Sequence, residues 1–234
     1  MRLHTTTVTS LSTLAILALA GCTTTTSSTP ADEPVSSASA ATQQEGKHSL
    51  VPELLSSAAL SKRLLAESEL GEGYTRKPQQ PRPQDDVVVS DCPALEELGG
   101  DAAVGDSLDF PRKAKASFTY TGGSDSEVAE ELYSDTAAKL SRGVSRIFDA
   151  MISCPTYQIL VGSTSVDMGT EQMAAPPLGD EQWSQLLTYS VGPQRSAVQQ
   201  TAIRIANVLV IVSGSPGLVD GHLAQAVDKV QRTR

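Results

Sequence analysis

Residues 199–213 read QQTAIRIANVLVIVS, and this stretch decides the fold. Gln199–Ala206 and Val208–Ser213 are two β-prone runs joined around Ala206-Asn207. Asn tolerates the left-handed region of backbone space, so a tight hairpin is expected at that joint. Val208–Val212 is apolar at every position. A strand with one wet face alternates, so an uninterrupted run predicts a strand covered on both faces.

Working outward, further strands are expected at Tyr157–Gly162, Val166–Ala174 and Gln185–Val191. Lys113–Thr121 alternates, with Ala114, Ala116, Phe118 and Tyr120 on one face and Lys113, Lys115, Ser117 and Thr119 on the other. Tyr74–Lys77 reads as a short strand. Downstream, Asp220 is expected to cap a final helix that turns Leu223, Val227 and Val230 inward, with Lys229, Arg232 and Arg234 near the negative end of its dipole.

Helices account for much of the remainder. Ser124–Ser153 predicts one long helix: Ser124-Asp125-Ser126-Glu127 has capping-box form, and Val128, Leu132, Leu140, Val144, Ile147 and Met151 trace a stripe. Gly143 interrupts that stripe at a cost of about 1 kcal/mol, and Pro155 ends it after Cys154. Leu54, Leu55, Ala58, Leu60, Leu64 and Leu65 predict a helix up to about Glu69, stopped by Gly71 and Gly73. Pro78, Pro81 and Pro83 mark a surface loop. Asp91-Cys92-Pro93 predicts a second helix start, with Asp91 as cap and Pro93 where an N–H is dispensable, and Gly99-Gly100 as its stop. Strands and helices in this arrangement define an α+β chain.

The first residues carry a different kind of signal. Leu11–Ala20 is an apolar run of ten residues preceded by Arg2. It is too short to cross ~30 Å of hydrocarbon as a helix and suits a cleaved leader. Leu19-Ala20-Gly21-Cys22 closes the run as a lipobox, which predicts a leader at residues 1–21 and diacylglycerol on the Cys22 sulfur. Residues 22–49 are rich in Thr, Ser, Ala and Pro and hold almost nothing apolar, so a disordered tether is expected. As a flexible coil it would span ~25–30 Å. Residues 50–234 then form one domain, long enough to bury a sizeable core. Maturation thus predicts a protein anchored by lipid on the extracytoplasmic face of the plasma membrane.

Charge narrows the partners. The chain has 18 basic and 27 acidic side chains and a formal charge of −9. Removing the leader takes away another positive charge, Arg2. Such a surface is repelled by phosphate backbones, so no nucleic acid is expected. Once Cys22 is acylated, Cys92 and Cys154 are the only other cysteines, and an oxidising compartment favours a disulfide between them. A metal or redox role is the alternative, although C-x-x-C is missing and His48 and His222 are not spaced as ligands. No cofactor is expected.

Catalytic signatures are also missing: there is no G-x-S-x-G and no H-E-x-x-H. His222 falls on the final helix, where a Ser-His-Asp arrangement is weighed against an ordinary solvated residue. Asp85-Asp86 and Asp180-Glu181 read as solvated turns rather than acid/base or calcium pairs. Phe118, Tyr120, Phe148, Tyr157 and Trp183 are the aromatic candidates for lining a pocket, although aromatics make up only 4% of the chain and the core competes for them.

Leu70-Gly71-Glu72-Gly73-Tyr74, Asp91-Cys92-Pro93-Ala94-Leu95, the helix closing on Cys154, Leu178-Gly179-Asp180-Glu181 and the terminal strand pair occur in a telling order. That order resembles the PknH-like extracellular domain family, the sensor domain of a mycobacterial serine/threonine kinase and the free-standing actinobacterial lipoproteins similar to it. The resemblance implies a twisted antiparallel sheet of about five or six strands packed by helices, a ligand-binding cleft and no catalytic residues. The sensor domain of that kinase carries two disulfides where this chain can form one. No kinase domain accompanies this chain, so signalling would need a membrane partner.

Two function classes follow. One is a membrane-anchored, non-enzymatic ligand-binding or sensor module for a small molecule or envelope component. The other is a protein-interaction or scaffold lipoprotein without a small-molecule ligand. Both require the anchor, which intact-mass measurement tests directly. The mature chain is expected to begin at Cys22 and to carry acyl mass there, and Cys22→Ser is expected to leave an unacylated precursor.

Overall fold

The computed structural model describes residues 53–79, 87–103, 108, 110–122 and 126–232. The leader, Cys22, the whole tether and Asp85-Asp86 lie outside the described residues. The elements, in chain order, are α1 (Ser57–Ser61), α2 (Glu67–Leu70), β1 (Tyr74–Arg76), β2 (Val87–Ser90), α3 (Pro93–Leu98), α4 (Gly100–Ala103), β3 (Lys113–Tyr120), β4 (Ser126–Ser134), α5 (Ala137–Ser153), β5 (Thr156–Val161), β6 (Thr164–Gln172), β7 (Glu181–Val191), β8 (Gln194–Ile205), β9 (Val208–Gly214) and α6 (Pro216–Arg232). Nine strands form one sheet in the order β1-β3-β4-β9-β8-β7-β6-β5-β2. Every pairing is antiparallel.

The apolar run in β9 is covered on both faces. Val208, Val210 and Val212 meet Val219, Leu223, Val227 and Val230 of α6, together with Ile203 and Ile205 of β8. Leu209 and Ile211 point the other way, against Leu140, Val144 and Phe148 of α5. Each such side chain, fully buried, contributes about 1.5–3 kcal/mol. The last turns of α5 cover Val89, Ile159 and Met168 on β2, β5 and β6. There Cys92, the N-cap of α3, is bonded to Cys154, the C-cap of α5, across a sequence separation of 62. Closing a loop of that size removes about 4 kcal/mol of unfolded-chain freedom in the entropy picture. No helix among the described residues is long and apolar enough to cross a membrane.

Several expectations are corrected. The sheet has nine strands, not five or six. The undercount begins with Ser124–Ser153, which is not one helix, because β4 and α5 divide it. Val128 and Leu132, four apart, satisfy a period of two as well as a helical one. In the structure they share a face with Glu130, while β3 and β9 flank β4 on its two edges. Val87–Ser90 adds an edge strand on β5 that follows the Pro-rich segment. The expected Leu54–Glu69 helix is instead the short pair α1 and α2.

Two caps and one turn residue also move. Asp91 takes φ 65° and Cys92 is the N-cap of α3, although Pro93 does open the helix. The final helix starts at Pro216, so Asp220 lies within it, where its Oδ1 accepts from Gln199 Nε2 at 2.8 Å. The β8–β9 hairpin turns at Ala206-Asn207, but the residue with positive φ is Ala206, at 52°. Its N–H is held by Asp180 Oδ2 at 2.7 Å, while the Asn207 side chain donates to the Glu53 carbonyl.

Glu130 lies inside the α6 side of the sheet and is 2% exposed. Its Oε2 accepts the Leu65 N–H at 2.6 Å, and its Oε1 has no partner among the described residues. Burial is the largest influence and pushes the carboxyl up to about 7. Unfolded, the same group ionises near 4.5. Its contribution is therefore complete below that value and is lost as pH rises through 7. At ~1.4 kcal/mol per pK unit, the loss approaches 3 kcal/mol. Glu130→Gln keeps the oxygen that Leu65 needs. Chemical unfolding at pH 5 and pH 8 is expected to show little change at the lower value and stabilisation of up to ~3 kcal/mol at the higher.

Candidate functional site

The aromatic residues expected around a pocket are distributed over separate parts of the core. Phe118 lies with the α6 cluster. Phe148 and Trp183 lie on the α5 side of β8 and β9. Tyr157 lies beside the disulfide, and burial raises its phenol above the ordinary value. Tyr120 stacks on Tyr74 with centroids 4.7 Å apart. The structure does not gather these five side chains around one cavity.

His222 joins that last pair. Its Nε2 is 2.6 Å from the Tyr74 hydroxyl, and the two rings meet edge-on at 5.0 Å. Its Nδ1 is buried without a hydrogen-bond partner among the described residues. Neither a serine hydroxyl nor a carboxylate is bonded to this imidazole among the described residues, so the geometry is that of an aromatic brace between β1 and α6. Asp180-Glu181 departs from the solvated-turn expectation. Arg204, only 9% exposed, reaches Asp180 Oδ2 through Nη1 and Glu181 Oε2 through Nε, each at 3.0 Å. The guanidinium, followed by a bond from Ser141, holds the Glu181 carboxyl below its ordinary range. This clamp fixes the start of β7 against the end of β8.

A concavity of about 700 Å³ lies between α5 and the segment leading into β3. Leu108, Phe110, Pro111 and Arg112 line one wall, and Lys139, Arg142, Gly143, Arg146 and Ile147 line the other. Residues at positions i, i+3, i+4 and i+7 lie on one face of a helix, so α5 turns three cations into the cleft. Leu54 and Leu98 close it at the ends, and Asp135 and Thr136 sit at the turn into α5. Leu108 and Phe110 are buried, and Phe110 meets Tyr133 edge-on at 5.8 Å. Its size is that of a small-molecule site.

Gly143 explains how the walls fit. A Cβ there would fall 2.8 Å from Phe110 Cζ, so glycine admits the ring against the helix. The helix-breaking signal in the sequence is thus a packing requirement. No sequence pattern pointed to this cleft, because its cations are spread over α5 and a residue 27 positions before its first one, Lys139. The basic spacing along α5 was the one available clue. Among the described residues, no cluster of His, Cys, Asp and Glu could hold a metal ion.

The arrangement is an α+β fold with an open cleft beside α5, and two solved structures are similar to the chain. The extracellular domain of PknH from Mycobacterium tuberculosis is similar over 77% of this chain and 98% of its own, with a TM-score of 0.57 and 19% identity. A putative uncharacterized protein from Mycobacterium smegmatis, the Rv0999 ortholog, aligns over the same shares with a TM-score of 0.40 and 13% identity. No protein-family model and no curated protein matches the sequence. The chain has the fold of the PknH extracellular domain.

Gly143→Val tests the cleft wall. The added side chain is expected to displace Phe110 and to cost about 1–3 kcal/mol, the usual penalty for overpacking. Thermal unfolding would register the loss, and Phe110→Leu in the same chain is expected to restore part of it.

Proposed function

We propose that this chain is a non-catalytic sensor-type module of the cell envelope, anchored through lipid at Cys22, which binds a small ligand or envelope component in the cleft between α5 and Leu108–Arg112. The cleft is the observation that carries this reading: about 700 Å³, with an apolar floor and a charged rim. The fold it shares with an extracellular domain supports a place outside the cytoplasm. The disulfide between Cys92 and Cys154 fits an oxidising compartment. A bound state would reach the cell interior through a membrane protein partner.

The interaction reading has one observation in its favour. Val88 on edge strand β2 and its partner Leu160 on β5 are 55% and 41% exposed on the same face. Two side chains are small beside the several hundred Å² of a typical docking patch, so the cleft leads.

A thermal-shift screen of envelope lipids, glycans and metabolites separates the two. A ligand at 100 times its Kd stabilises the folded state by about 2.7 kcal/mol. At least one compound class is expected to raise Tm, with the rise abolished by Gly143→Val. A flat screen, together with capture of a protein partner that Val88→Glu weakens, would favour the interaction reading instead.

A further inference from the structure

The charge of the cleft opposes that of the molecule. The chain as a whole is at −9, yet Arg112, Lys139, Arg142 and Arg146 all line one concavity, and among the described residues Asp135 is the one carboxylate lining it. Asp135 is buried and already engaged: Oδ1 accepts the Thr136 N–H at 2.7 Å and lies 3.5 Å from Lys139 Nζ. Arg146 has only a long 3.8 Å contact with exposed Glu97. Arg112 and Arg142 make no ion pair among the described residues. Four cations in a concave site focus a positive potential on a chain of net negative charge.

Beneath those cations the floor is apolar. Leu108 and Phe110 are 6% and 9% exposed, and Ile147 continues the surface along α5. A bare anion would leave the still exposed apolar lining, Pro111 and Ile147, in contact with water, and a neutral lipid would leave the guanidinium groups unused. Only a molecule with both parts satisfies both walls, since arginine pairs with phosphate through a two-pronged contact while the chain removes apolar area from water.

We propose that this cleft binds an anionic amphiphile: a phosphate headgroup held by Arg112 and Arg142, with its attached apolar chain lying over Leu108, Phe110 and Ile147. The proposal rests on the ligand-binding reading above and names the ligand class.

The test uses the full chain carrying Cys22→Ser, so that its own acyl chains cannot compete. It is titrated calorimetrically with dihexanoyl phosphatidic acid, dihexanoyl phosphatidylcholine and inorganic phosphate. Phosphatidic acid is expected to bind about tenfold tighter than phosphatidylcholine and about a hundredfold tighter than phosphate, with affinity falling as salt rises. The double variant Arg112→Gln/Arg142→Gln is expected to lose about tenfold for phosphatidic acid. Both side chains reach solvent, so its Tm should match that of the parent. Equal binding of the two lipids would overturn the role of charge. Phosphate binding as tightly as phosphatidic acid would make a free anion the ligand and overturn the role of the chain. Unchanged binding in the double variant would place the site elsewhere. No binding of phosphatidic acid, alongside a different hit in the envelope screen, would sink this proposal while leaving the sensor reading in place.

Discussion

The structure depends on the burial of β9 from both sides. Val208, Val210 and Val212 secure α6, and Leu209 and Ile211 secure α5. A strand in the middle of nine, with a helix on each face, fixes which way both helices run. Everything that shapes the cleft inherits its position from this. α5 presents its Val144 and Phe148 side to the sheet, so its Lys139, Arg142 and Arg146 side faces away from it. The cleft is thus the outer consequence of an inner constraint.

Polar groups refine what burial establishes. Arg204 is nearly enclosed, and a buried guanidinium is tolerated only when paired. Asp180 and Glu181 supply the pairing, and Asp180 also holds the strained Ala206 turn. One cluster of three charges therefore supports both the β7–β8 register and the hairpin that the core strand needs. Glu130 is the opposite case. It is a carboxyl kept in an apolar layer for a single backbone bond, and the fold bears its cost as pH rises.

The strongest periodicities carried most of the fold. Val208–Val212 admitted only a doubly covered strand, and Lys113–Thr121 alternated cleanly. Ser124–Ser134 was misjudged because Val128 and Leu132 fit two periods at once, and Ser126 and Glu127 of the apparent capping box lie within β4 itself. Choosing between them required the neighbours β3 and β9, which are distant in sequence. The caps failed for a related reason: Asp91 and Asp220 have the right chemistry, but tertiary packing set the helix starts at Cys92 and Pro216. The Cys92–Cys154 bond was legible because counting left one pairing. The cleft was not, since the approach of Phe110 to Gly143 is a fact of three dimensions.

The two edge strands, β1 and β2, come from the start of the domain, while the partner of β2, β5, is made about seventy residues later. During synthesis, Val87–Cys92 therefore emerges long before Thr156–Val161 can zip onto it. In that interval Cys92 waits as a lone thiol. Where acylation has consumed Cys22, the waiting thiol has a single mate in its own chain, and intramolecular scrambling has no combinatorial space. Oxidation then needs an electron acceptor but no isomerase, and it locks the slowest edge of the sheet in one irreducible step of assembly.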